Sequence, residues 1–383
     1  MRTCGPDRRL RPPYDLTALS EQLSPRASIG FALIGLIVLT ASPVTSASGS
    51  DAAAPPTRAQ MVGQRMIVAF SGTTAKPALL ARIRAGQIGG VILFSQNIRS
   101  ALQLRRLTAR LQRAARAAGQ PRLLIAADQE GGLVRRLPWA PPKASAEELG
   151  TTPKTHVEAV ARRAGIALRQ AGVNLDLAPV ADVPRSPSNF IEAAHRAFAT
   201  DRYAVATDAA AFSRGLEAGR VLPTLKHFPG LGRAGAVSTD DGLVRIRAGR
   251  KQISHALLPY DVAFRKSLHP VVMLSTAVYP AYSPRAAAWS RAIARTLLRH
   301  DLGFRGVTIT DSLTSAAAVR RTSPSVLAVR SARVGVDLLL VTGSAATSNV
   351  AYEAVLHAAR SGAVPLADLK ASYARILKLK SRI

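Results

Sequence analysis

Eight short apolar runs, separated by segments of helical periodicity, constrain the fold of this chain more than any other feature. Each run has the length of a buried strand, and the intervening segments carry apolar residues at i, i+3 and i+4, as amphipathic helices do. The predicted strands are residues 66–70, 90–94, 123–127, 174–179, 221–225, 271–275, 306–310 and 337–341. The predicted helices include residues 102–118, 157–171, 203–218, 253–267, 293–300 and 313–334, with a closing amphipathic helix at 366–383.

This alternation of strands and helices predicts an α/β fold with a parallel sheet. Eight strand–helix units in roughly 320 residues suit a TIM-type (β/α)8 barrel, whose usual size is about 250 residues before insertions. A doubly wound open sheet is the main alternative, but it does not ordinarily use eight evenly spaced units. We therefore predict a single barrel domain that spans residues 58–383.

The N-terminal segment differs from the rest of the chain. An uncharged apolar run at residues 27–42 is shorter than the ~20 residues of a membrane-spanning helix and has the length of a signal-peptide core. Small residues at Thr45 and Ala47 are spaced for cleavage after Ala47. We predict a signal peptide at residues 1–47, a flexible linker at 48–57, and export of the protein. An uncleaved N-terminal membrane anchor is the alternative.

The charge balance is strongly basic, with 52 Lys and Arg against 23 Asp and Glu and a net charge of +29. The basic residues are scattered over predicted helices, without a dense run interleaved with aromatic residues, which argues against a nucleic-acid partner. Affinity for an anionic cell envelope, or an arginine-rich composition without functional meaning, explains the charge equally well. The only cysteine, Cys4, leaves no intrachain disulfide and no cysteine-based metal site.

Polar side chains cluster directly after the predicted strands. Barrel enzymes place their chemistry at the C-terminal ends of the strands, so the residues that follow the apolar runs are the candidates. The clusters are Asp128 to Glu130 with Arg136 after the third strand, His195-Arg196 after the fourth, Lys226-His227 after the fifth, Thr276 after the sixth and Asp311 after the seventh. Five polar clusters on one rim indicate a functional site.

Each candidate also has a purely structural interpretation. Asp311 could cap the following helix through backbone N–H groups, although Ser312 could serve as that cap instead. Asp128 could stabilise its Gly-Gly loop through an Asx-type bond. The Lys226-His227 pair could belong to a turn that only redirects the chain. Carboxylate and guanidinium groups together match the vicinal hydroxyls of a sugar or polyol, which favours a carbohydrate site.

Taken together, these motifs resemble family 3 of the glycoside hydrolases, specifically its compact single-domain β-N-acetylglucosaminidases that recycle or remodel bacterial cell wall. The matching motifs are Asp-Gln-Glu-Gly-Gly at 128–132, the Ala-Pro-Val segment within 174–183, Lys-His-Phe-Pro-Gly at 226–230, and the stretch from 303 to Asp311. The resemblance covers residues 58–383. The larger β-glucosidases of the family carry a further C-terminal sandwich domain, for which residues 58–383 show no candidate, so we expect the compact type.

The resemblance implies a retaining mechanism in which Asp311 is the nucleophile and forms a glycosyl-enzyme intermediate. It further implies that five residues hold the hydroxyls of the terminal sugar: Asp128, Arg136, Arg196, Lys226 and His227. The family needs no metal and no organic cofactor. We expect a monomer whose partner is a small carbohydrate or muropeptide.

One loop departs from the family pattern. In compact members, the loop after Lys-His-Phe-Pro-Gly carries a histidine that protonates the leaving oxygen, and an aspartate orients it. Here Leu231 replaces the first histidine of that pattern, and no histidine lies between His227 and His255. The acid/base on this loop must then be a carboxylate, with Asp240 as the first candidate and Asp241 as the alternative. A solvated acidic turn without catalytic function is the competing interpretation.

The sequence thus favours an exported, exo-acting β-N-acetylhexosaminidase or closely related β-glycosidase that acts on cell-wall fragments. A degenerate barrel that binds muropeptide or glycan without cleaving it is the second hypothesis, because the family histidine is missing. A third is an envelope protein that binds anionic polymers through its charge alone. Whether water or phosphate resolves the intermediate stays open at this point.

Overall fold

The computed structural model describes residues 55–266, 268–319 and 322–383. The predicted signal peptide or anchor at 1–47, and most of the predicted linker at 48–57, lie outside these residues. Among the described residues, no helix is both long enough and apolar enough to cross a membrane.

Eight parallel strands form the barrel, and a two-stranded hairpin is added after the third of them. The barrel strands are β1 (Met66–Val68), β2 (Gly90–Ile92), β3 (Leu124–Ala127), β6 (Leu175–Asp176), β7 (Thr224–Phe228), β8 (Val271–Leu274), β9 (Thr308–Thr310) and β10 (Leu339–Val341); the hairpin strands are β4 (Gln129–Gly131) and β5 (Val134–Arg135).

The ring of strands is held together by two sets of paired strands and by isolated β-bridges between the sets. Strands β10, β1, β2, β3 and β6 pair in that order, and β7, β8 and β9 form a second set. Parallel bridges from Leu175 to Leu222 and from Ile309 to Leu338 join the two sets on both sides. The predicted TIM-type (β/α)8 barrel is therefore confirmed.

Helices surround the barrel, and several of them begin at a side chain that accepts a backbone N–H, as N-cap residues do. Their bounds are α1 (Arg58–Gly63), α2 (Pro77–Arg84), α3 (Ala101–Ala117), α4 (Ala146–Gly150), α5 (Lys154–Gln170), α6 (Phe190–Ala193), α7 (Arg202–Ala218), α8 (Arg250–Ser254), α9 (Leu258–Arg265), α10 (Ala316–Val319), α11 (Pro324–Arg333), α12 (Ala345–Arg360) and α13 (Leu366–Lys380), with a π-helical segment at Ala292–Asp301.

Alternating side chains divide the core into two layers. Ile67 of β1 points into the barrel with other inward residues, whereas its neighbours Met66 and Val68 pack against the helices. This alternation follows from the period of two in a strand. Ile376 and Leu379 of α13 join the inner layer, so the last helix closes the end of the barrel opposite the strands' C-terminal ends.

Several predicted bounds differ from the structure. The fifth strand, predicted at 221–225, lies at Thr224–Phe228, because Pro223 has no N–H to continue a ladder. Lys226 and His227 are therefore inside the strand, not after it. The predicted helix 313–334 is two helices, α10 and α11, and the second begins with Ser323 as N-cap and Pro324 in its first turn. The predicted helix 253–267 is likewise divided, between α8, a 3₁₀ turn and α9.

Candidate active site

A polar cavity of about 330 Å³ opens at the C-terminal ends of the barrel strands. Its volume is within the range of small-molecule sites, about 300–1,000 Å³. Seven of the eight predicted site residues line it: Asp128, Arg136, Arg196, Lys226, His227, Asp240 and Asp311. Asp241 is not among the lining residues. The barrel thus brings together residues that are up to 183 positions apart in the sequence, from Asp128 to Asp311.

A buried cluster of two carboxylates and two cations forms one wall of the cavity. The Lys226 ammonium donates to Asp128 Oδ1 at 2.9 Å and lies 2.7 Å from Glu130 Oε1. Arg196 donates two parallel hydrogen bonds of 2.8 Å to the Glu130 carboxylate. Such bidentate pairs fix the guanidinium plane as well as its position. The cluster therefore holds Lys226 and Arg196 rigid while Asp128 keeps accepting capacity for a ligand.

The charges in this cluster stabilise one another. Burial alone would raise the pKa of the Glu130 carboxyl, but Arg196 and Lys226 hold it well below its ordinary range. Burial alone would lower the pKa of Lys226, but Asp128 and Glu130 raise it above the usual value. Glu130 and Lys226 are therefore both ionised at neutral pH. The sequence analysis placed Glu130 in the polar cluster after the third strand but gave it no role, because its pairing with Arg196 and Lys226 depends on the fold.

Arg136, which directly follows strand β5, reaches into the cavity. Its guanidinium lies 3.6 Å from Asp128 Oδ2 and 5.8 Å from the centre of the Phe94 ring. The β4–β5 hairpin aims this side chain, since Arg136 N donates to Asp128 O at 3.2 Å. A guanidinium between a carboxylate and an aromatic face suits a sugar, which presents both hydroxyls and an apolar ring face.

His227 is oriented by a carboxylate that the sequence analysis did not single out. Its Nδ1 lies 2.7 Å from Asp182 Oδ2, and Asp182 Oδ1 accepts from the backbone N–H groups of His227 and Leu231. Asp182 is completely buried. Because Nδ1 is engaged by the carboxylate, Nε2 is the ring nitrogen left to meet a ligand. Asp182 lies two residues after the Ala-Pro-Val segment, within the motif at 174–183.

Asp311 follows β9 and stands at the cavity floor. Asp311 Oδ1 accepts from the Ser312 N–H at 2.7 Å, and the Thr276 hydroxyl lies 3.5 Å from Asp311 Oδ2. The Asp311 N–H continues the sheet by donating to Leu274 O at 2.9 Å. The carboxylate caps no helix, since α10 begins five residues later at Ala316. Oδ2 makes only this long contact with a described residue, so it is free for a substrate.

The loop between β7 and α8 places its two aspartates differently. Asp241 is turned away, because its Oδ2 accepts from the Ser238 hydroxyl at 2.8 Å in an exposed turn. Asp240 lines the cavity, and its carbonyl accepts from Ala316 N at 3.1 Å. The adjacent Thr239 carbonyl accepts from Ala317 N at 3.2 Å. Main-chain bonds to α10 therefore fix Asp240 at the cavity mouth.

The surroundings of Asp240 favour its protonated form. Burial among neighbouring atoms raises the pKa of its carboxyl, and the nearby Asp311 carboxylate raises it further, against smaller opposing effects of His227 and Arg196. The residue as a whole remains exposed at its outer surface, so screening by water limits the size of this shift. A carboxyl group with a raised pKa that faces a second carboxyl group across one cavity is an arrangement that suits a general acid beside a nucleophile.

Asp176 is buried below the cavity, and the pKa of its carboxyl can be tested through the stability of the protein. Burial raises its pKa to about 8, its Oδ1 accepts from Gln129 N at 2.9 Å, and its Oδ2 has no partner among the described residues. The unfolded carboxyl titrates near ~3.9, so the contribution of Asp176 to wild-type stability falls as pH rises from about 4 towards about 8. Asp176→Asn keeps the acceptor and cannot titrate. Relative to wild type, we expect its urea midpoint to be higher at pH 8 than at pH 5; the same difference at both pH values would contradict the assignment.

Within the described part of the chain, no three His, Asp or Glu side chains are grouped so that they could hold a metal ion. The polar groups of the cavity are paired with one another or face its open space. Their arrangement suits a neutral, hydroxyl-rich ligand, with one carboxylate on the floor and a second carboxyl at the mouth.

Comparison with known proteins agrees with this geometry. Residues 59–379 match the model of the glycosyl hydrolase family 3 N-terminal domain. A protein of Arthroderma benhamiae named an uncharacterized secreted glycosyl hydrolase is 32% identical over 333 residues, which are 85% of this chain and 94% of that protein. Beta-hexosaminidase A of Pseudoalteromonas piscicida is 33% identical over 384 residues, 89% of this chain and 64% of that enzyme.

Solved structures give the same result. A family 3 β-N-acetylglucosaminidase from Paenibacillus sp. str. FPU-7 has a TM-score of 0.82 and 30% identity, covering 86% of this chain and 63% of that one. A β-N-acetylhexosaminidase from Beutenbergia cavernae has a TM-score of 0.78 and 33% identity, covering 86% of this chain and 99% of that one. The barrel, its polar cavity and these matches together confirm the predicted resemblance: the chain is a glycosidase that belongs to glycosyl hydrolase family 3.

Proposed function

We propose that the protein is an exo-acting, retaining β-N-acetylhexosaminidase that removes terminal β-linked N-acetylglucosamine from cell-wall fragments. The observation that carries the proposal is the convergence of Asp311, Asp240 and the Asp128–Glu130–Arg196–Lys226 cluster on one sugar-sized cavity. The relatives named as β-hexosaminidases support the choice of sugar. The cavity is closed at its floor by the barrel interior, which suits removal of a single terminal residue.

In the first step, a carboxylate oxygen of Asp311 attacks the anomeric carbon while Asp240 gives its proton to the leaving glycosidic oxygen. The C–O bond to the aglycone breaks, and an ester to Asp311 forms with inversion. Lys226, Arg196 and Asp128 hold the ring hydroxyls, so the anomeric carbon meets the nucleophile in a fixed position. Thr276 and the Ser312 N–H hold the carboxylate in place and share its charge.

In the second step, Asp240 has become a carboxylate and takes a proton from an incoming water. The water oxygen attacks the anomeric carbon, the ester bond breaks, and Asp311 is released as a carboxylate, giving net retention. The same residue serves as acid and then as base, which requires a pKa near the working pH. The raised pKa of Asp240 supports this role. If phosphate instead of water attacked the glycosyl-enzyme intermediate, that step would need no general base.

A glycan-binding barrel without activity is the second candidate, motivated by the missing loop histidine. The position of Asp240 in the cavity favours the enzyme, because a carboxyl group stands at the mouth beside Asp311. Location and assembly are further parts of the proposal. We infer export from the N-terminal sequence and from the printed name of the secreted Arthroderma benhamiae relative, and we propose a monomer that acts on small soluble fragments.

A panel of aryl β-glycosides tests the proposal. We expect the purified protein to cleave the N-acetylglucosaminide with kcat/KM at least about tenfold above those of the glucoside and galactoside, because a site built for a polar substituent discriminates against sugars that lack it. The β-anomer of the released sugar should appear first by NMR, as retention requires. Tight binding of N-acetylglucosamine without release from any glycoside would support the non-catalytic barrel instead.

A further inference from the structure

A second cavity, which we call the arginine cavity, lies beside the active site on the same rim of the barrel. It has a volume of about 370 Å³, and its walls include Arg245, Arg285, Arg330, Trp289, Thr276 and Ala317. Thr276 belongs to both sites, since its hydroxyl faces Asp311 Oδ2 while the residue lines the arginine cavity. The two cavities are therefore neighbours across the Thr276 side chain.

The arginine cavity lies on the side of the site from which a leaving group departs. Leu243 and Arg245 follow Asp240 on the same loop, and Ala317 N anchors that loop at Thr239 O. A proton donor stands next to the oxygen that it protonates, so the aglycone extends past Asp240. The wall that holds Asp240 is thus also a wall of the arginine cavity.

Three arginines of this cavity have no counter-charge among the described residues. No described carboxylate lies within salt-bridge distance of Arg245, Arg285 or Arg330, whereas the partly exposed Arg214 and Arg382 elsewhere on the surface are each paired with a glutamate. An adjoining cavity of about 270 Å³ shares Arg285, Trp289 and Arg330 and adds Arg291 and Arg333. Counting only residues that the structure describes, the region therefore presents five arginines around one indole.

We propose that the arginine cavity binds the aglycone and selects one that carries an oxyanion, a carboxylate or a phosphate. This inference rests on the proposed glycosidase function. Guanidinium groups present paired N–H donors that match both oxyanions. Trp289 supplies an apolar wall for the body of the aglycone, and three converging arginines supply the charge. The enzyme thereby prefers acidic glycans over neutral ones that carry the same terminal sugar.

Binding of three non-hydrolysed probes tests the inference without requiring catalysis. The probes are the phenyl, 4-carboxyphenyl and 4-phosphonophenyl 1-thio-β-N-acetylglucosaminides, titrated calorimetrically against the protein. We expect at least one anionic probe to bind about tenfold more tightly than the phenyl probe, the factor that one charge-assisted hydrogen bond contributes. The carboxylate and phosphonate arms show which oxyanion is preferred.

Two double variants distinguish binding in the arginine cavity from attraction to the overall positive charge of the protein. Arg285→Ala combined with Arg330→Ala should abolish the preference and leave affinity for the phenyl probe unchanged. Arg162→Ala combined with Arg163→Ala, which removes two exposed arginines on α5 across the barrel, should keep the preference. Equal loss in this second double variant would overturn the inference, because the long-range charge would then be responsible.

The results distinguish a failure of the oxyanion subsite from a failure of the proposed glycosidase function. If the phenyl probe binds and O-aryl glycosides are cleaved but the anionic probes gain nothing, the arginine cavity is not an oxyanion subsite and the proposed function stands. If anionic probes are preferred but no glycoside is cleaved, the cavity is a binding site on a non-catalytic barrel. If no probe binds, the proposed function fails and the inference fails with it.

Discussion

Asp311→Asn is expected to reduce kcat/KM on aryl β-N-acetylglucosaminides by on the order of 10⁴-fold or more. The amide cannot form the glycosyl ester, and loss of a nucleophile removes the whole covalent route. The loss should be similar for good and poor leaving groups, because both require attack by Asp311. Initial rates of aryl release across a leaving-group series measure the effect.

The substitution is designed to leave the fold intact. The introduced amide would keep an oxygen that accepts from the Ser312 N–H, and it buries no new charge. The unfolding midpoint of the variant should stay within a few degrees of wild type. As a direct check, a fluorinated glycosyl fluoride should label the wild-type peptide that contains Asp311 and leave the variant unlabelled. A label on another residue, or a variant with more than a few per cent of wild-type activity, would rule Asp311 out as nucleophile.

Asp240→Asn is expected to divide substrates by the acidity of their leaving group. For a poor leaving group, kcat/KM should fall by about 10²- to 10⁴-fold, the usual contribution of a general acid. For an activated aryl group that needs no proton, kcat/KM should change little, while breakdown of the intermediate slows. The matched control is Asp241→Asn, one position away with its carboxylate held by Ser238. If the two variants lose activity equally, neither residue is the general acid.

The pH dependence of the wild-type enzyme provides a second readout of Asp240. The raised pKa keeps the acid form present to higher pH than an ordinary aspartate allows. Activity on poor leaving groups should therefore decline as pH rises through that pKa, since the deprotonated form cannot donate. In Asp240→Asn the residual activity on the same poor leaving groups should lack this alkaline decline. If the decline persists unchanged, another group supplies the proton.

Much of the fold could be predicted because its determinants are local. Strand positions such as 66–68 alternate between the barrel interior and the helices, and runs of buried residues mark them in the sequence. The strand at Thr224–Phe228 was misplaced because it is polar where it faces the cavity, with Lys226 and His227 as strand residues. The apolar run in the sequence therefore stops before the strand does, because the residues of the strand that line the cavity are polar.

The candidate site was predictable where its residues follow apolar runs, as Asp128 and Asp311 do. The sequence analysis put Asp240 ahead of Asp241, but it could not show which carboxylate faces the cavity, because adjacent residues in a turn differ only in the hydrogen bonds they make. Ser238 engages one carboxylate, and the other is left to face the cavity. The arginine cavity could not be seen either, since its three arginines, at 245, 285 and 330, come from separate segments.

The attachment of the Asp240 loop has a consequence for how such enzymes diverge. Carbonyl groups at 239 and 240 bind the N–H groups of Ala317 and Ala316, and every residue type has a carbonyl. The location of the proposed proton donor is therefore independent of the side chain at that position. Under the proposed mechanism, a lineage can exchange histidine for aspartate on such a loop while the proposed nucleophile and sugar-binding residues stay unchanged. The acid is then the part of the site that evolution can replace, and the barrel rim is the part that it keeps.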